Sequence, residues 1–95
     1  VRPAAFRPAA AADVEDAFHW YEAQRDGLGD EFLEMLRAAL ESIGLRPESA
    51  PVVQRDVRRH LLRHFPHGLF YRIVEDQVVV LACLHCFRAR RSLRA

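Results

Sequence analysis

Residues 77–87, QVVVLACLHCF, decide the fold. A strand with one wet face alternates polar and apolar side chains, and here only Gln77 and His85 interrupt the apolar run. That pattern predicts a strand covered on both faces, hence central in its sheet. Immediately upstream, Glu75, Asp76 and Gln77 read as a tight link to a second strand, Leu69 to Val74, so the two form a hairpin. Arg58 to His64 extends the β texture, with Val52 to Asp56 as a shorter candidate. Within HLLRHFPHGLFYRI (60–73), Leu61, Phe65, Leu69, Tyr71 and Ile73 are assigned to the core side, which leaves the arginines and histidines facing outward.

Before residue 47 the period changes. Ala10, Val14, Ala17, Phe18 and Tyr21 recur at helical spacing between Pro8, which suits a first helical turn, and Arg25. Asp13, Glu15 and Asp16 are expected in the first turns, where the helix dipole favours acids. The sequence Gly27, Leu28, Gly29 breaks the pattern. Asp30 and Glu31 then open a second helix whose apolar face carries Leu28, Phe32, Met35, Leu36, Ala39 and Ile43, widened by Leu33 and Leu40. Gly44 and Pro47 end it. Arg2 to Arg7, close to Pro3 and Pro8, reads as an edge strand. The predicted order is β-α-α-β-β-β: an α+β domain, residues 1–95, with an N-terminal helical hairpin packed on one face of a small, mainly antiparallel sheet.

Composition sets further bounds. With 51% hydrophobic and 28% charged residues, the 95-residue chain has the makeup of a folded domain. Its longest apolar run, Val78 to Leu84, is far shorter than the roughly 20 residues of a membrane helix. No secretory pattern is read at the start, so the expected location is the cytoplasm. Net charge is only +1, but residues 1–50 hold five arginines and ten acids while residues 51–95 hold nine arginines and three acids. This dipolar distribution predicts a basic C-terminal face suited to an acidic partner. All the basic residues are arginine, whose planar fork binds carboxylate or phosphate bidentately.

Several side-chain sets bear on chemistry. His60, His64 and His67 approach Cys83, His85 and Cys86 in a plausible sheet, and His60 and His64 share a face if their segment is a strand. Without a paired CxxC or HExxH pattern, no metal site and no cofactor are assigned. Cys83 and Cys86, three apart on a strand, point to opposite faces and read as two thiols rather than a disulfide. Arg55, Arg58, Arg59, Arg63, Arg72 and Arg88 have the makings of a phosphate-holding surface, with His85 or Tyr71 as proton carrier, which is what a small RNase needs; a partner-binding arginine face is the competing reading. Trp20 and Tyr21 are read either as core or as an interface anchor.

Taken in order, A-x-x-D-V-E-D-A at 10–17, W-Y-E-x-Q-x-x-G-L-G-D-E-F at 20–32, V-R-R at 57–59, F-P-H-G-L-F-Y-R-I at 65–73 and H-C-F-R at 85–88 resemble the RelE/ParE toxin superfamily of type II toxin-antitoxin pairs, nearer to ParE. The resemblance implies a cognate antitoxin whose C-terminal part wraps the toxin in a hetero-oligomer, and which alone contacts operator DNA. The ParE side implies poisoning of DNA gyrase by binding, with Arg88, Arg90, Arg91, Arg94 and the exposed helix faces engaging the target. Arg59, Arg63, Trp20 and Tyr21 are assigned to an acidic antitoxin tail. The RelE alternative is cleavage of mRNA on the ribosome, with Arg58, Arg63 and Arg88 on phosphates and His85 carrying a proton. The chain lacks an aromatic residue after Phe87, where many RelE-like chains carry a tyrosine, and has Leu93 where many ParE-like chains carry a tryptophan. A third reading is a protein-interaction module without toxicity.

Overall fold

The computed structural model describes residues 4–86. Along the chain run β1 (Ala4–Phe6), α1 (Pro8–Gln24), α2 (Leu28–Leu45), β2 (Val52–Gln54), β3 (Val57–Leu61), β4 (His67–Val74) and β5 (Gln77–His85). The sheet order is β1-β5-β4-β3-β2, parallel between β1 and β5 and antiparallel elsewhere. β5, the strand apolar on both sides, lies inside the sheet as its pattern demands. The candidate strand at 52–56 is realised as the short edge strand β2, one strand more than the expected order.

The helical hairpin is shaped by two glycines and one carboxylate. Gly27 takes a left-handed φ of 88° at the reversal. A Cβ on Gly29 would stand 2.8 Å from the Phe18 ring, so glycine there lets α2 approach α1 closely. The Glu22 carboxylate reaches across the turn and accepts from the backbone N–H groups of Gly27 (3.0 Å) and Gly29 (2.9 Å), serving donors that the start of α2 leaves unpaired. Because α1 begins at Pro8, its first turn contains no acid; Asp13, Glu15 and Asp16 fall in later turns, contrary to expectation. Asp13 instead accepts from the backbone N–H of Cys83 at 2.9 Å, tying α1 to β5.

β4 and β5 join through Glu75 and Asp76, whose φ values of 49° and 66° match the twist of a two-residue hairpin turn. Along this pair Phe70 faces Ala82 but Tyr71 faces Val80, so Leu81 is an extra residue. The bulge switches the parity of β5. Val78 and Val80, then Cys83, enter the main core with Phe32, Ile43, Leu69 and Tyr71, whereas Ala82 joins Val57 and Phe70 in a smaller cluster flanked by Leu81 and Leu84. The main core lies under the helices and the smaller cluster on the other side of the sheet.

Register corrects two expectations in β3. Leu61 pairs with Gly68 and is 55% exposed, while Leu62 turns into the main core. A one-residue step exchanges faces, and the adjacent leucines had left that step open. His64 does not share a strand face with His60: β3 ends at Leu61, and His64 lies in the following bend with a left-handed φ of 68°. No helix among the described residues is long and apolar enough to cross a membrane.

Candidate functional site

The two faces of the sheet use their arginines differently. On the helix side, Arg58 pairs with the core residue Tyr71 and donates from Nη1 to the carbonyls of Glu48 (2.9 Å) and Ala50 (2.7 Å). The Tyr71 hydroxyl donates to the Pro47 carbonyl at 2.6 Å. Together they pin the loop between α2 and β2, so Arg58 is committed to the fold. Burial raises the Tyr71 pKa, keeping the phenol neutral as a donor.

Arg59 stands on the opposite face, across from Phe70. Its stem lies over Gly68, where a Cβ would meet Arg59 Cγ at 3.1 Å and Cys86 Sγ at 3.2 Å. Nε of Arg59 is buried and has no hydrogen-bond partner among the described residues. Leaving a buried donor unmade costs about 1–3 kcal/mol. Arg63 is exposed in the bend after β3. Arg72 holds Asp56 bidentately (2.8 and 3.2 Å) and lowers its carboxyl pKa, chiefly through that hydrogen bond. Exposed Leu61 and half-buried Leu81 and Leu84 supply the apolar part of this surface. The result is a strip of arginine and leucine with one donor unfilled.

The remaining candidates separate. Trp20 is 50% exposed, whereas its neighbour Tyr21 is buried, stacked on Phe32 at 5.4 Å with its hydroxyl 3.3 Å from His67 Nδ1. Tyr21 is therefore a core residue, and of the two aromatic residues only Trp20 is open to solvent. His67 is 7% exposed and lies inside the aromatic group of Tyr21, Phe32 and His85 rather than facing outward. Its place was readable, since residues 67, 69, 71 and 73 share one strand face. His85 pairs with His67, four residues along β4 from the partner of Arg58, which offsets the two by about 13 Å along the strand direction with β4 between them. Burial first, then the charges of Asp13 and Cys86, push the Cys83 thiol up to about 12. Arg88, Arg90, Arg91 and Arg94 lie outside the described residues. No group of three or more metal-ligating side chains occurs among the described residues.

Fold and surface together define a two-layer α+β domain, with an acidic helical layer and a basic, partly apolar sheet face. Comparison with protein families then places it: the profile for the ParE toxin of the type II toxin-antitoxin system parDE matches residues 4–89, and the chain belongs to that family. Among solved structures, a chain of the chromosomal ParDE toxin-antitoxin system from P. aeruginosa is similar in fold, with a TM-score of 0.66 and 16% identity over 88% of this chain and 95% of that one. Comparison with curated proteins gave no match. The motif residues that carry the resemblance are partly architectural: Glu22, Gly27 and Gly29 build the hairpin turn rather than a reaction centre.

Proposed function

We propose that this ParE-family toxin inhibits DNA gyrase by binding, and that a cognate antitoxin neutralises it by laying an acidic C-terminal segment on the Arg59 and Arg63 surface. The observation that carries the antitoxin contact is the pair of solvent-accessible arginines, half-buried Arg59 and exposed Arg63, beside a face rich in leucine. A carboxylate from the antitoxin pairs with the accessible parts of these guanidinium groups, and opposite potentials steer the association. Trp20 gives the same partner an aromatic anchor on α1. Operator DNA is reached through the antitoxin, within a hetero-oligomer formed in the cytoplasm. The target contact is assigned to Arg88, Arg90, Arg91 and Arg94.

Ribosome-dependent mRNA cleavage is less well supported. Of its proposed residues, Arg58 is engaged by two loop carbonyls and His85 is offset from it by about 13 Å along the strand direction. General acid–base work requires groups converging within hydrogen-bond reach of one reacting atom. Expression of the chain alone should arrest growth, co-expression with its antitoxin should restore it, and ribosome-bound mRNA should stay uncut. Specific cutting of that mRNA by the purified protein would replace the gyrase reading, and unimpaired growth would point to an interaction module.

A further inference from the structure

Between α2 and the bend that joins β3 to β4 lies a groove of about 250 Å³. Half-buried Leu28, Met35 and Phe65 form its floor, and exposed Glu31, Glu34 and His64 its rim. The floor is preformed: Phe65 stands edge-on against Tyr21 (4.9 Å) and Phe32 (5.4 Å), both buried, so it has nowhere to collapse. His64 holds a left-handed φ of 68°, uncommon outside glycine, in the bend that forms one wall. Pockets for whole drug-sized ligands run to roughly 300–1,000 Å³, so this one suits a single large side chain.

The charge around the groove selects the neighbours of that side chain. Between Pro8 and Leu45 the two helices and their connection contain nine acids against Arg25 and Arg37, and the bend on the other wall adds exposed Arg63 beside His64. The rim acids are already paired, Glu31 with Arg25 at 3.1 Å and Glu34 with Arg37 at 2.7 Å, but every partner is more than half exposed. Exposed pairs of this kind are weak, and an incoming guanidinium or ammonium competes with them at little cost. A carboxylate arriving at the same place meets a field of its own sign.

We infer that the groove receives one aromatic side chain of a protein partner, from a segment in which arginine or lysine flanks that residue. The preference is opposite to that of the Arg59 face, so a uniformly acidic segment cannot serve both surfaces. The inference stands apart from the gyrase and antitoxin readings, because it concerns the helical layer and holds whichever protein supplies the segment.

Met35 is the sole methionine, so its labelled methyl resonance reports the groove without ambiguity. Three capped pentapeptides serve as probes with the full chain: tryptophan flanked by arginines, tryptophan flanked by glutamates, and alanine flanked by arginines. The first should shift the Met35 methyl saturably and at least about fivefold more tightly than the second, and the third should leave it unmoved. The exposed double substitution Glu31→Arg with Glu34→Arg should invert the order of the first two. A methyl unmoved by millimolar tryptophan peptide, or equal affinity for both flanking charges, overturns the inference. Loss of antitoxin binding at the Arg59 face leaves this titration unchanged, so the two readings fail separately.

Discussion

On the helix-covered face of the sheet, Arg58 donates to two loop carbonyls, Tyr71 to a third, and Asp13 accepts from the backbone of Cys83. On the opposite face, one residue along the same strand, Arg59 keeps a buried Nε without an acceptor among the described residues. The two arginines share a strand and a side-chain type, and only strand parity separates them. One face uses its polar groups to hold loop, helix and sheet together. The other carries no helix among the described residues, and there Arg72 holds Asp56 while Arg59 Nε stays without an acceptor among those residues.

The largest expected difference between the faces is chemical. Cys83 is buried on the helix side with its pKa pushed up to about 12, whereas half-buried Cys86 lies beside Gly68 and Arg59 on the open face. At pH 8 only about one Cys83 in ten thousand is thiolate, so alkylation of the native protein should modify Cys86 at least about a hundredfold faster. Peptide mapping after a timed iodoacetamide pulse measures this, and equal rates would erase the contrast.

Next in size is the hairpin turn. Glu22→Ala removes the acceptor from two backbone donors and should cost about 2 kcal/mol in urea unfolding. Gly29→Ala, forcing a methyl against the Phe18 ring, should cost about 1–3 kcal/mol. The arginine pair gives the sharpest contrast at somewhat smaller size. Arg58→Ala should lower stability by about 1–2 kcal/mol through its lost carbonyl bonds, whereas Arg59→Ala should leave stability nearly unchanged and weaken antitoxin binding about tenfold. Equal stability losses for the two would place both arginines in the fold.

The smallest effect is a pH dependence. Burial lowers the His60 pKa below its ordinary value of 6.5. The unfolded chain then binds the proton more readily, so stability is present above pH 6.5 and declines as pH falls toward the folded value. His60→Gln should flatten that part of the stability profile, and an identical slope in wild type and variant would assign it elsewhere.

Much of the architecture was legible because it depends on local periodicity. The helical spacing around Tyr21 and Phe32 and the unbroken apolar run of β5 placed both helices and the interior strand. What was illegible depends on long-range register. The adjacent leucines 61 and 62 fit either face until Leu61 pairs with Gly68, and the bulge at Leu81 reverses the parity of β5 in a way its apolar composition conceals. Glu22 joins the site of the hairpin turn only after the chain has folded back on itself. For the candidate surface, composition identified a basic face, but only the structure distinguishes Arg58, consumed by the loop, from Arg59, whose Nε has no acceptor among the described residues.

The most direct test of the toxin reading is a DNA supercoiling assay with purified gyrase, titrated with the antitoxin-free chain. The account predicts inhibition accompanied by accumulating cleaved DNA. Full supercoiling activity in the presence of protein that still binds its antitoxin would contradict gyrase as the target.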